Sequence, residues 1–465
     1  MIDKFLVPTA SFNVKRSSQT FFINTPYTSI ASSHIVIMVV ELDTTLAELY
    51  ANNGLPGPIV VDLYRTYTHI DLHDNFPRER MFVEDEDPST YCSEEEDLPR
   101  FKKWALNSRT IRHLPMVGPA DVILYLPYNS RDNIDRALDQ FPKHQRPMVK
   151  YVDLDSPCMA KDRRMAIKDK KLVYWRPKSW MVGEDCSVPP ERSYMLNDKR
   201  FLIHPEIPTP SLEMVSLLHE DQRDYLVKLQ LPFGVKFCRC SSGQGTYIAT
   251  TEEERRQMLE AVRRYRERGG VDIQVSEFVG SRKPHYGVNF FVGRDESLQP
   301  CFLGATEQVV AKNGVWVGGV IDYQAQGDLE RRLRNTIAVV ARTLQQYSYV
   351  GWIGIDVIFD SDDRPLVVDL NARIAAGIGI VLFSKHFMSM GLPFAGMETV
   401  SFTGPASGIY AALSASIESG KVIVTLSAEV TDTESVASVV FGGRTRDDLN
   451  AVADWIRDVL RTCLN

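Results

Sequence analysis

Apolar residues recur along the chain with two periods, one helical and one extended. Leu329, Leu333, Ile337, Val340 and Leu344 fall on one helical face, which predicts a long helix over about 328–347 with that face in a core. Met258, Leu259, Val262 and Tyr265 form a similar face. Thr251 followed by Glu254 is a capping-box signal that opens this second helix, and Gly269-Gly270 close it near Arg268. A last helix turns Leu449, Val452, Ile456 and Val459 inward. Short apolar runs predict strands over 35–40, 58–63, 120–126, 231–237, 247–249, 271–279, 287–292, 421–426 and 436–441. Residues 352–359 and 365–370, separated by Asp360-Ser361-Asp362-Asp363, read as a β-hairpin.

The order of these elements divides the chain. In 1–195 strands alternate with helices over 44–52 and 133–141, the signature of an α/β region with a parallel sheet and crossover connections. A Pro-containing stretch at 187–191 marks its end. Residues 196–395 follow as a central unit, split into 196–310 and 311–395, and 396–465 read as a small α+β cap. The acidic runs Glu84–Asp87 and Glu94–Asp97 read as a solvated loop.

Composition narrows the function classes. A chain of 465 residues with 44% hydrophobic and 24% charged residues is globular, not disordered, collagenous or coiled-coil. Its net charge of −7 lacks the broad basic face that a nucleic-acid binder needs. Seven scattered cysteines without a CxxC pair argue against a zinc site or disulfide scaffold and for reduced thiols. The longest aliphatic run, 35–40, is far shorter than the roughly 20 residues that span a bilayer. The first residues lack a signal-peptide apolar core. The expectation is a cytoplasmic protein with no nucleic-acid and no membrane partner.

Candidate chemistry concentrates at the hairpin. Alternate side chains on a strand share a face, so Asp369, Asn371 and Arg373 are expected to point one way, with Asp356 reaching them from the partner strand. Two carboxylates and an amide oxygen are hard donors suited to Mg²⁺ held together with substrate phosphates. An adjacent arginine can grip an oxyanion or phosphate in two-pronged fashion. Asp369 and Asn371 interrupt the apolar run Leu366-Val367-Val368, where charge is costly to bury without a partner. Farther upstream, Lys236 ends an apolar strand before a loop holding Ser241, Ser242, Gly243 and Gly245. Glycines let backbone N–H groups close on phosphate, and hydroxyls add donors, although the Gly-Lys-Ser/Thr tail of a Walker motif is missing.

In combination these segments resemble the ATP-grasp superfamily of ligases over about 196–395. Asn197-Asp198-Lys199 followed by Ile207-Pro208-Thr209-Pro210 is similar to that family's first lysine motif. Pro232-Phe233-Gly234-Val235-Lys236 and its Ser/Gly loop are similar to the second lysine and phosphate-covering loop, and Gly354-Ile355-Asp356 with Asp369-Leu370-Asn371-Ala372-Arg373 to the metal-binding signature. One departure is Asp369, where the family usually has the longer Glu.

The resemblance implies an α/β fold: a pre-ATP-grasp-like domain with a parallel sheet over 1–195, a two-lobed ATP-grasp core over 196–395 and a C-terminal cap over 396–465. It implies ATP contacts at Lys199, Lys236, Ser241, Ser242, Gly243 and Gly245, an adenine hinge at Glu277, Phe278 and Val279, and nearby roles for His285 and Gln308. Mg²⁺, or Mn²⁺ in its place, would sit on Asp356, Asp369 and Asn371. Arg373 and Lys236 would serve catalysis. The activity implied is ADP-forming ligation of a small carboxylic acid to an amine, with a homodimer allowed. A carboxylase or protein-tail ligase of the same fold, and a non-catalytic nucleotide-binding protein, are the competing readings.

Overall fold

β-branched and aromatic runs set sixteen strands among the described residues of the computed structural model, which are 38–55, 57–63, 111–126, 130–240, 243, 245–267, 269–280, 283–295, 297–310 and 316–462. The first four strands, β1 (Ile59–Asp62), β2 (Asp121–Leu126), β3 (Met148–Asp153) and β4 (Lys171–Tyr174), form a parallel sheet in the order β3-β2-β1-β4. The parallel sheet expected of the N-terminal region is therefore present, with two strands, β3 and β4, that the pattern did not reveal. Of the strand expected over 35–40, residues 35–37 lie outside the described residues. Met38–Val40 run without ladder partners: Met38 N–H donates to the Glu418 carbonyl and Val40 N–H to that of Gln140. The acidic runs at 84–87 and 94–97 lie outside the described residues as well.

The next four strands, β5 (Leu212–Ser216), β6 (Phe233–Phe237), β7 (Thr246–Ala249) and β8 (Asp272–Glu277), make an antiparallel sheet in the order β5-β8-β6-β7. The helix Glu252–Glu267 buries Met258, Ala261, Val262 and Tyr265 against it. The predicted cap is built: Glu254 N–H donates to Thr251 Oγ1 at 3.2 Å, and Thr251 N–H donates back to the Glu254 carboxylate at 3.0 Å.

The remaining strands are β9 (Tyr286–Val292), β10 (Cys301–Val310), β11 (Trp316–Asp322), β12 (Gly351–Phe359), β13 (Pro365–Asn371), β14 (Phe394–Thr403), β15 (Val422–Glu429) and β16 (Glu434–Gly443). They form one eight-stranded antiparallel sheet, ordered β13-β12-β9-β10-β11-β14-β16-β15. The segment read as a C-terminal cap thus adds strands to the sheet that carries the Asp369 hairpin. Helix Gln326–Gln346 packs its apolar stripe under β9, β12 and β13. Helix Arg446–Thr462 packs Leu449, Val452 and Ile456 onto β14 and β16, and Arg457 pairs with Glu398 of β14 at 2.9 Å. A further core joins the parallel sheet to the large one through Val61, Val122, Phe291, Trp352 and Phe383.

One charge is buried in the parallel sheet. Asp62 ends β1 fully enclosed, takes a hydrogen bond from the Tyr125 hydroxyl at 3.0 Å, and receives Lys178 Nζ on both oxygens at 2.9 Å. Removing one partner strands the other in a medium that penalises charge. We expect Lys178→Met to lower unfolding stability by about 3–5 kcal/mol, and Asp62→Asn with Lys178→Met to recover most of that. Urea denaturation of the three proteins measures it, and a single-variant loss below about 1 kcal/mol would contradict the ion pair's role.

Candidate active site

The hairpin that carries the candidate metal ligands is formed as expected, and its register sets their relation. Asp356 on β12 lies directly opposite Asp369 on β13, and Gly354 lies opposite Asn371. A bulge follows between Asp356 and Val357, so the alternation changes phase beyond the pair. Gly354 is required where it stands, because a Cβ there would come within 2.4 Å of the Ala375 Cβ. β13 ends at Asn371, so Arg373 does not occupy a strand position. A tight turn, with Arg373 N–H donating to the Asn371 carbonyl at 2.8 Å, carries it round, and Arg373 Nη2 donates to Asn371 Oδ1 at 2.7 Å. Arg373 reaches the same cluster by a turn instead of by alternation.

Both candidate lysines converge on this pair. Lys199 opens a short 3₁₀ turn, Lys199–Ile203, whose N-cap Asp198 accepts Arg200 N–H. Its ammonium group donates to Asp369, while its carbonyl accepts Gln274 Nε2 of β8 at 3.0 Å. Asp198 is itself held by Arg200 and by buried Arg239 at 2.8 Å. Lys236 points from β6 to the Val368 carbonyl of β13. Asn197 Nδ2 donates to the Ala372 carbonyl at 3.1 Å, tying the segment before Lys199 to the strand end.

The electrostatics follow from two carboxylates and two ammonium groups packed together. Burial pushes the Asp356 carboxyl above the usual carboxylate range, and the neighbouring Asp369 charge pushes it further against Lys199, Lys236 and a hydrogen bond from Gln308. Burial opposes ionisation of Asp369 too, yet Lys199 and then Lys236 outweigh it and hold that carboxyl low. Lys236 is lowered by burial and by Lys199. His285 is lowered by burial and by Lys236, both of which disfavour the charged ring.

No three His, Cys, Asp or Glu side chains gather into an all-protein metal cage among the described residues. The facing carboxylates of Asp356 and Asp369, with the Asn371 amide beside them, fit Mg²⁺ instead, because that ion keeps water and phosphate oxygens in much of its shell.

The candidate phosphate-loop residues are described in part. Ser241 and Ser242 lie outside the described residues. Gly243 and Gly245 have φ of 79° and 63°, and a Cβ on Gly245 would meet the Cys240 sulfur at 2.4 Å, so only glycine is accommodated there. Glu277 ends β8 opposite Phe233, three residues along the ladder from the Lys236 level. Its carboxylate accepts Ser211 N–H at 2.9 Å, Phe278 is exposed, and Val279 is half-buried. The candidate hinge residues therefore sit at the other end of the small sheet from Lys236. Gln308 N–H donates to the His285 carbonyl at 2.9 Å, which places both beside Asp356.

A cavity opens onto this cluster, lined by Trp175, Asn197, Lys199, Arg239, Asn371 and Arg373. Its Trp175 wall follows the end of β4, in the N-terminal sheet. No sequence pattern singles out Trp175 or Arg239, since each is one aromatic or charged residue, Trp175 in a loop without a motif and Arg239 ahead of the Ser/Gly segment that drew notice.

Residues 210–371 match the family model described as L-aspartate–L-methionine ligase, ATP grasp. No curated protein matches the chain. Among solved structures, phosphoribosylamine–glycine ligase from Thermotoga maritima is 13% identical with a TM-score of 0.51, over 73% of this chain and 90% of that one. L-amino acid ligase from Bacillus licheniformis is 12% identical with a TM-score of 0.48, over 87% and 98%. N5-carboxyaminoimidazole ribonucleotide synthetase from Thermus thermophilus is 14% identical with a TM-score of 0.49, over 78% and 96%. The chain carries an ATP-grasp ligase signature over residues 210–371, the stretch that holds Lys236 and the Asp356–Asp369 hairpin. It is an enzyme, a ligase that forms carbon–nitrogen bonds. Among the described residues no helix is long and apolar enough to cross a membrane.

Proposed function

We propose that the protein is an ADP-forming amino-acid ligase that activates the carboxylate of one amino acid and couples it to the amine of another. The observation that carries this reading is the convergence of Asp356, Asp369, Lys199, Lys236 and Arg373 on one hairpin end. L-Aspartate as acid and L-methionine as amine are the first substrates to try, from the description of the matching family.

The chemistry begins with repulsion, because a carboxylate and the ATP γ-phosphate are both anions. Lys199 and Lys236 supply cations on the side where the phosphates would lie, and Asp356, Asp369 and Asn371 would hold Mg²⁺. That ion, when bound, offsets phosphate charge and fixes the geometry of the transferring group. A substrate carboxylate oxygen attacks the γ-phosphorus in line, the bond to the β–γ bridging oxygen breaks, and ADP leaves. The amine then attacks the acyl carbon, phosphate departs, and the amine loses its proton. Arg373 stands at the cluster's edge, where its guanidinium can grip the tetrahedral oxyanion and the leaving phosphate. The Gly243–Gly245 segment beside Cys240 would cover the phosphates and keep water from the acylphosphate.

A screen of acids against amines tests this, with ADP release and mass detection of the product as readouts. ADP and phosphate are expected only when an acid and an amine are both present. AMP with pyrophosphate, or ADP release that depends on bicarbonate alone, would overturn the reading.

A further inference from the structure

The parallel sheet reverses its winding between β1 and β4: β2 and β3 lie on one side of β1, and β4 on the other. Open parallel sheets bind ligands outside the carboxyl ends of their strands at such a reversal. Here that point faces the active-site cavity. Trp175 directly follows β4, with its N–H on the Asp62 carbonyl at 3.1 Å, and it is only 4% exposed. It lines the cavity together with Asn197, Asn371 and Arg373, and the Arg373 guanidinium lies 5.5 Å from its ring centre.

Two residues of this lining carry a buried polar atom without a hydrogen-bond partner among the described residues, Trp175 Nε1 and Asn197 Oδ1, and His113, packed on Trp175 just outside the lining, carries a third at Nδ1. The His113 and Trp175 rings stack at a tilt, 4.9 Å between centres. Arg112 Nε donates to His113 Nε2 at 3.1 Å, so Nε2 is the acceptor and the hydrogen of the neutral ring sits on Nδ1. Trp175 Nε1 and His113 Nδ1 are therefore two enclosed N–H donors in adjacent rings, and a donor left unmade costs about 1–3 kcal/mol. Burial drives the His113 pKa well down, and the charges of Arg112 and Arg373 drive it further, so the ring stays neutral in a positive field. Such a field favours an anion over an uncharged amide. Asn197 Oδ1, in the same cavity, offers the acceptor that a substrate ammonium group needs.

We propose that Trp175 Nε1–H and His113 Nδ1–H receive a second carboxylate of the acid substrate, which makes the enzyme selective for a dicarboxylic amino acid. The inference rests on the ligase reading above and adds to it the residues that choose the acid. A carboxylate presents only acceptors and satisfies both donors. The isosteric carboxamide turns an NH₂ group toward donors and cations, and sites built for such hydrogen bonds reject the mismatched analogue strongly.

The test uses full-length protein labelled with ¹⁵N at its six tryptophans, with Mg²⁺ and a non-hydrolysable ATP analogue. Trp175→Phe assigns the Trp175 indole resonance. L-Aspartate is expected to shift that resonance saturably, and L-asparagine at the same concentrations is not. In turnover, Trp175→Phe and His113→Phe (which keeps the ring stack) should each raise KM for L-aspartate by roughly 10- to 100-fold, with KM for ATP unchanged within about twofold. A resonance unmoved by aspartate, or moved equally by asparagine, overturns the proposal. ADP release with monocarboxylic amino acids alone would also overturn it while leaving the ligase reading standing. Absence of acid-dependent ADP release with every acid would count against the ligase reading itself.

Discussion

Asp369→Asn is expected to lower kcat for ADP formation by at least about 10³-fold, some 4 kcal/mol of transition-state stabilisation, in a protein that remains folded. The side chain keeps its shape and loses its charge. In the native site that charge receives Lys199 and faces Asp356 across the ladder. Its removal would deprive the proposed metal site of one of two carboxylates and leaves the buried Lys199 ammonium facing a neutral amide. Asp369→Glu should do far less harm, within about tenfold of wild type, because the charge is kept and only one methylene is added. Steady-state ADP release, with far-ultraviolet circular dichroism as a check on folding, measures both. Equal activity of the asparagine variant would remove Asp369 from the chemistry.

Arg373→Lys is expected to reduce kcat by roughly 10²- to 10³-fold, the usual loss when one preorganised oxyanion donor is removed, while KM for ATP changes less than about threefold. Lysine keeps the charge but cannot reproduce the planar fork. Arg373 is held by Asn371 Oδ1 and lies over Trp175, in the lining of the cavity. A parallel rise in KM for ATP would assign Arg373 to the nucleotide instead of to the acyl centre.

What the sequence revealed of this site depended on local interruption of a strong pattern. Asp369 and Asn371 break an apolar strand, and a hairpin turn brings Asp356 alongside, so the carboxylate pair could be read from spacing alone. Arg373 was harder, because β13 stops at Asn371 and the chain turns before alternation can place it. Strands β10, β11 and β14 escaped notice because packing overrides their propensity. Trp316–Asp322 carries Gly318-Gly319, which weakens a strand in isolation. In the fold a Cβ on Gly318 would strike the Met397 carbonyl at 2.3 Å, so the glycine permits the close approach of β14. Likewise Gly304 in β10 has a φ of 151° and makes room for Val381. The cavity wall was unreadable for a different reason. His113, Trp175 and Asn197 come from three separate segments and meet only through tertiary packing, so none has a neighbour in sequence that hints at a site.

Where the nucleotide and metal bind is decided by a crystal structure of the protein with Mg²⁺ and a non-hydrolysable ATP analogue. A metal ion bounded by Asp356 and Asp369 is expected, with the triphosphate running past Lys199 and Lys236 and the adenine toward Glu277–Val279. A nucleotide seated elsewhere, with the carboxylate pair touching neither metal nor phosphate, would contradict it.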